Sequence, residues 1–446
     1  MRKKIFALLS FVTLLSSLAF GAEKKEEKDE EEHIAAIDNL GPTSGGFSSV
    51  GEFGPEDQDF VDPKMLRDFI ESRSLIECRQ KEGALTIAAD VRARWICTGE
   101  EVNGKRERGD DTNTAINIFK SEFNLFLDYV APRGWVSTKV KWVVFDGVDG
   151  GSSTKVDLDR AFIGYDVYER GCEDFYIEIG RSKLDYMFES KVEFSTFFDG
   201  IHFYYTDTWK DIGVFTLHGG PFIVDSFSNH YAWIVETGVK KWANTGFSIK
   251  YSLIDWHRHA PTLNYGNRKD SGDIFIIDNP RYRFIVSQLI FGYEQTLDLP
   301  GCKILYAYAA VLANHDAKKT RTTHNRYANK AWYTGFTMGK LCKACDWSVD
   351  INYQWVQAQA VPEFDLSGIG HGNAANTLLS DAIILGLTPF NARGFTNFQG
   401  LQVSLLYALT DSLTLRSKAE YSVPIDRDIG GSFFYKNFEM AVIYAF

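Results

Sequence analysis

Beyond its first twenty residues the sequence has no stretch approaching the roughly 20 uninterrupted apolar residues that a membrane-spanning helix needs, which excludes a helical bundle in a bilayer. It also lacks a basic tract suited to nucleic acid. The formal net charge is −11, and part of the acidity sits in EKKEEKDEEE (Glu23 to Glu32), which reads as a disordered, solvated tail. No Ser/His/Asp set can be assembled. His257 and His259 in DWHRHAP stand two apart with no third ligand nearby, so they read as solvated loop histidines. GIGHGN (Gly368 to Asn373) has neither the preceding strand nor the following helix of a dinucleotide fingerprint and reads as a flexible loop. These absences leave no expectation of an enzyme, a cofactor or a metal site.

The chain starts with MRKK, an apolar run from Ile5 to Phe20, and the small residues Ala19 and Gly21. That pattern predicts a secretory signal peptide over residues 1–22, and the lack of Cys there argues against a lipoprotein. Residues 23–83 combine the acidic tail, a linker rich in Gly, Ser and Pro, and DPKMLRDFIESRSLIECRQ. In the last stretch Asp62 can cap and Pro63 can open a short helix with Met65, Leu66, Phe69 and Ile70 on one face. Such a helix could dock, plug a pore or mediate oligomerisation.

From Ala84 the pattern changes to strict alternation. Leu85, Ile87, Ala89, Val91, Ala93 and Trp95 alternate with Thr86, Ala88, Asp90, Arg92 and Arg94, which fits a strand that is apolar on one face and charged on the other. WSVDINYQWVQ repeats this, and so does NFEMAVIYAF, whose Met440, Val442, Tyr444 and Phe446 carry an apolar row to the last residue. Water cannot cover that row. About sixteen such segments occur, near 84–97, 117–130, 135–145, 156–168, 173–183, 199–207, 211–220, 230–240, 246–256, 281–295, 302–313, 329–340, 346–359, 397–408, 413–423 and 433–446. Within them DIGVFTLHGG alternates poorly. Short spacers such as APRG, ERGC, TWK and LTDS alternate with long ones such as the segment from Ala360 to Thr396.

The expectation is therefore an all-β protein, a transmembrane antiparallel β-barrel of about 16 strands over residues 84–446, preceded by a short helical or disordered periplasmic segment. An even strand count places both barrel ends on one rim. A soluble sandwich or propeller would not account together for the leader, the loop alternation and the apolar last strand.

Parity places Arg92, Arg94, Lys120, Lys139, Lys141, Arg416 and Lys418 on the lumen side of strands that become neighbours once the last strand meets the first. Glu178, Glu236, Glu294 and Asp350 face inward from the remaining strands, while Asp90, Glu122, Asp128 and Glu420 dilute the basic side. Two opposed arcs would set a transverse field across the lumen. Ordinary pairing between neighbours is the alternative. The apolar ANTLLSDAIILG, within the spacer from Ala360 to Thr396, predicts a segment that folds into the barrel or packs on another subunit. NHDAKKTRTTHNRYANK reads as a solvated basic loop, or one that meets anionic solutes.

FEMAVIYAF resembles the C-terminal signature of Gram-negative outer-membrane porins, and TNFQGLQVSLLYALTDSLTLRSKAEY resembles their penultimate hairpin. The resemblance spans about residues 84–446. It implies an outer-membrane location, lipid around the barrel, Phe446 as the signal read by the barrel-assembly machinery, and diffusion of small hydrophilic solutes without covalent chemistry. Homo-oligomers are a further expectation.

Cysteine adds a second theme. Cys172, Cys302, Cys342 and Cys345 fall in or beside short spacers and Cys78 precedes the first strand, so five of the six lie on the periplasmic side, with Cys97 near the outer rim. A local Cys342–Cys345 bond, separate thiols, a staple to Cys78, or links to other envelope proteins all fit the spacing. The last of these resembles the disulfide-linked chlamydial envelope, and it carries the rival reading of a structural or adhesive protein anchored by its barrel.

Overall fold

The computed structural model describes residues 76–80, 83–106, 108, 116–145, 153–225, 230–257, 284–297, 304–319, 323–372, 396–429 and 431–446. Among these residues the strands are β1 (Ile76–Gln80), β2 (Gly83–Val102), β3 (Lys105–Arg106), β4 (Asn117–Ala131), β5 (Gly134–Phe145), β6 (Ser153–Arg170), β7 (Glu173–Lys183), β8 (Phe197–Trp209) and β9 (Gly213–Asp225). They continue with β10 (His230–Lys240), β11 (Phe247–Asp255), β12 (Ile285–Thr296), β13 (Ile304–Asn314), β14 (Lys330–Gly339), β15 (Trp347–Val356), β16 (Phe398–Ala408), β17 (Leu413–Val423) and β18 (Phe433–Ala445). Setting aside the short β1 and β3, sixteen strands pair antiparallel in chain order and β18 pairs with β2, closing a barrel. Each coincides with one of the alternating segments. Closure removes the exposed edges that an open sheet of this size would present.

Burial follows the alternation. On β2, Asp90, Arg92 and Arg94 are buried while Val91 and Trp95 face out. On β18, Met440, Val442, Tyr444 and Phe446 face out and Glu439, Ala441, Ile443 and Ala445 are buried. Ile163, Phe119, Ile179 and Val311 are among the most exposed apolar side chains, and they extend the outward apolar surface around the wall. The terminal residue takes part in closure. The Phe446 amide donates to the Ala89 carbonyl at 2.9 Å, and the Ala89 amide donates back to the Phe446 carbonyl at 2.8 Å.

Ahead of the sixteen strands, Ile76–Gln80 form the additional strand β1, which pairs with β2 so that Gln80 faces Gly83 and Ile76 faces Ile87. The helix expected from Asp62 and Pro63 lies outside the described residues. Met65, Leu66, Phe69 and Ile70 lie outside the described residues, as do the leader and the linker. DIGVFTLHGG, which alternates poorly, belongs to a full strand, β9, whose alternation is blurred by Gly219 and Gly220 at φ 149° and 158°. A Cβ on Gly220 would meet the Ile201 carbonyl oxygen of β8 at 1.8 Å, so the close backbone approach requires glycine.

Deleting Phe446 removes both closing hydrogen bonds, worth about 1 kcal/mol each. Unfolding of the lipid-refolded barrel in urea should show a loss of about 2 kcal/mol or more. An unchanged midpoint would mean that closure does not depend on the last residue.

Candidate functional site: the charged lumen and its constriction

The lumen-facing charges of β17, β18, β2, β4, β5 and β6 form one interleaved network. Arg92 bonds Asp90 at 2.7 Å and lies 3.8 Å from Glu122, which also takes Arg94 at 3.6 Å and Lys141 at 3.7 Å. Glu439 joins two strands by accepting from Arg94 at 3.0 Å and Arg416 at 2.6 Å. Lys139 meets Asp159 at 2.6 Å, Arg160 meets Asp128 at 3.2 Å, and Lys418 meets Glu420 at 3.3 Å. Lys120 is buried on the same wall. The structure thus brings the whole basic set together, with acids set between the cations.

Asp159, Arg160 and Glu439 were not among the residues singled out by parity. Asp159 and Arg160 are consecutive and both buried, which plain alternation forbids. The cause is a β-bulge. Lys139 pairs with Arg160 and Val140 with Leu158, leaving Asp159 as the extra residue. Before it, Val156 and Leu158 face out; after it, Ile163 and Tyr165 do. No periodic signal in the sequence marks such an insertion.

The facing wall is built differently. The segment between β7 and β8 turns inward, starting with one helical turn, Leu184–Met187, and it is closed at its neck by a Leu184 amide to Thr196 carbonyl bond of 3.0 Å. From there it reaches the far side. Glu189 accepts from Lys250 on β11 and, at 3.0 Å, from Tyr306 on β13. Ser190 donates to Gln288 on β12 at 2.9 Å, and Lys191 bonds Asp350 on β15 at 3.3 Å. Leu184, Val192 and Phe194 are fully buried. A segment attached to one wall and bonded to the other is a constriction, and its contacts are too distant in sequence for periodicity to show them.

Over its described part the spacer after β15 packs against this inward segment. Ala360, Val361, Leu366 and Ile369 are buried, and the Ser367 amide donates to the Val192 carbonyl at 3.2 Å. ANTLLSDAIILG itself lies outside the described residues. Asp365 accepts from the Phe194 amide at 3.0 Å and from the Thr196 amide and hydroxyl at 3.1 and 2.8 Å. Glu193 is buried beside it, next to the Trp256 indole. Burial, reinforced by the Asp365 charge, pushes the Glu193 carboxyl well above the ordinary range, so these two acids do not ionise together.

The inward acids of this wall also have partners. Asp350 accepts from Lys191, from the Tyr308 hydroxyl at 2.8 Å and from Thr337 at 2.7 Å. Glu178 and Glu236 are buried and hydrogen-bonded to His202 and His218, two histidines absent from the sequence reading. Glu294 shares the parity of Ile290 and Gly292 but sits at the exposed end of β12 beside a short turn. Of the solvated features, His257 is half-buried against the Tyr231 ring at 4.9 Å, and His259 lies outside the described residues. In the basic loop, His324 and Arg326 meet Asp428 and Asp426 at 3.3 and 3.5 Å, so part of its charge is spent on a neighbouring connection.

Cys97, Cys172 and Cys345 are free thiols, the last two exposed. Cys342 is disulfide-bonded, and since Cys345 is free the local Cys342–Cys345 bond is not formed. Cys302 and the side chain of Cys78 lie outside the described residues.

No family model matches the chain, and no curated protein does. The chain matches several solved structures at low identity. OprB of Pseudomonas putida in its low-pH structure is 9% identical, covering 87% of this chain and 97% of its own, with a TM-score of 0.43. OmpF of Salmonella typhi in complex with daunomycin is 13% identical over 83% and 100%, at 0.45. A mutant porin of Rh. blastica is 8% identical over 81% and 100%, at 0.38. Strand count and closure here stand on the pairing registers themselves.

Glu122 is the hub of the basic wall, within 4 Å of three cations. Replacing it with Gln leaves those buried charges under-compensated and should cost about 3 kcal/mol. Replacing the exposed Glu101 with Gln should change stability by less than about 0.5 kcal/mol. Equal effects in urea unfolding would mean that the lumen is wet enough to screen the network.

Proposed function

We propose that this chain is an outer-membrane porin of a Gram-negative bacterium, passing small hydrophilic solutes through a charged lumen without covalent chemistry. The observation that carries the reading is the closed sixteen-strand barrel, apolar outside and charged inside, crossed by a constriction. Only helices and closed barrels satisfy every backbone group in hydrocarbon, and a polar interior suits water rather than lipid. The barrel-assembly machinery would read Phe446, and lipid would cover the outward row.

Opposite the basic wall, Glu189 and Asp350 are each paired with a lysine, Lys250 and Lys191, so the cations of the basic wall set the field that a passing solute meets. Arg92→Glu with Arg94→Glu should move the reversal potential of the bilayer-reconstituted channel toward cation selectivity. The milder pair Arg92→Gln with Arg94→Gln should move it less in the same direction. A reversal potential unmoved by both pairs would remove these residues from the conduction path, and absence of conductance in the native barrel would sink the porin reading.

The exposed thiols of Cys172 and Cys345 favour a second role compatible with the first, covalent attachment to other envelope proteins of the chlamydial type. Non-reducing electrophoresis of alkylation-trapped envelopes should show high-mass species that collapse with reductant and shrink in Cys172→Ser with Cys345→Ser. A monomer without reductant would exclude the attachment.

A further inference from the structure

Four neighbouring strands each contribute one buried side chain to a continuous row in the lumen wall: Glu178 on β7, His202 on β8, His218 on β9 and Glu236 on β10. His202 Nδ1 lies 3.1 Å from Glu178 Oε2, and His218 Nε2 lies 3.1 Å from Glu236 Oε1. Between the rings, His202 Nε2 and His218 Nδ1 face each other at 3.3 Å. Three contacts in a row of four groups require three protons, whereas two neutral imidazoles supply two. With both carboxylates ionised, each ring spends its N–H on its own carboxylate. Two nitrogen lone pairs are then left pointing at one another in a row that carries two formal negative charges. A cation between the rings resolves both problems.

A divalent metal fits this arrangement better than a shared proton. It cancels both charges of the row, and burying uncompensated charge is costly. Each imidazole already has its second nitrogen on a carboxylate, the support that fixes ring orientation and raises basicity in metal-binding histidines. Metal–nitrogen bonds of about 2.0–2.1 Å in a tetrahedral arrangement put the two nitrogens about 3.3–3.4 Å apart. A modest swing of both rings off the N···N line brings the lone pairs onto one ion. Glu236 Oε2, buried with no hydrogen-bond partner, is a further oxygen within the row. Lys250, the cation on the adjacent strand, is bonded to Glu189 and lies near enough to Glu236 to offset part of its charge.

The surroundings shape the site. Phe188 of the constriction stacks on His218 at 4.8 Å and meets His202 edge-on at 6.0 Å. Tyr176 and Tyr204, stacked at 4.7 Å, flank the rings, and the Trp135 indole donates to Glu178 at 3.2 Å. Imidazole pairs suit Zn²⁺, Cu²⁺ and Ni²⁺ and not the oxygen-seeking Mg²⁺ or Ca²⁺. We propose that His202 and His218 bind one such transition-metal cation in the lumen wall beside the constriction, with Glu178 and Glu236 as orienting carboxylates. This goes beyond the porin reading and does not depend on conduction.

The test uses the untagged full barrel, refolded in detergent, with Cu²⁺ as the probe and electron paramagnetic resonance and calorimetry as readouts. One Cu²⁺ bound with hyperfine structure from two nitrogens is expected. His202→Gln and His218→Gln should each abolish the two-nitrogen spectrum. Glu178→Gln and Glu236→Gln should keep it while weakening affinity about 10- to 100-fold. His324, Asp426 and Asp428 lie close enough to hold an ion through one imidazole, so binding there would give a one-nitrogen spectrum that survives the His202 and His218 changes. A wild-type spectrum with one nitrogen or none, or a double variant binding as tightly as wild type, would overturn the proposal and leave the rings sharing a proton. Circular dichroism of each variant separates lost binding from lost folding.

Discussion

Every feature of this molecule depends on one requirement, that backbone amides and carbonyls find partners within the chain where the surroundings are apolar. An unsatisfied pair in hydrocarbon costs several kcal/mol. A sheet meets that requirement only by closing, and here closure reaches the last residue, whose amide and carbonyl both bond Ala89. Once the ladder is closed, side chains have two faces to choose between. Outward apolar rows and inward charges follow from the same pleat.

The inward face then creates its own problem, because a wall of Arg and Lys cannot be desolvated without compensation. The chain solves it by interleaving. Glu122 and Glu439 each bridge cations from different strands, and the bulge at Asp159 adds an acid beside Lys139 while turning Arg160 toward Asp128. The opposite wall uses another device. A segment leaves the barrel wall between β7 and β8 and spends Glu189, Ser190 and Lys191 on the far strands, so the polar groups there bond protein. The charges of both walls are thus paired with neighbours of opposite sign.

The cysteines divide in a way that spacing left open. Cys342 is bonded and its near neighbour Cys345 is not, although CKAC places them three apart. In the turn Cys345 has a φ of 72°, and Cys342 and Lys343 donate their amides to Asp346 instead. Local hydrogen bonding sets that turn, and the thiol of Cys345 is left exposed.

The sequence by itself determined the barrel, its sixteen strands and which face of each is apolar and outward. A period of two is a local property that every pleated strand must show, and a slip of one residue would expose the charges on the apolar side. The same period put Arg92, Arg94, Lys139 and Lys141 on the face that is buried in the fold. It could not reveal Arg160, because one inserted residue reverses parity without leaving a mark, nor His218, which lies where two glycines blur the alternation. Nor could it reveal the constriction, since LDYMFESKVEF looks like any connection until Gln288, Tyr306 and Asp350 are brought across the barrel to meet it. Those are contacts between residues about a hundred or more apart, and only closure of the sheet decides which of them face each other.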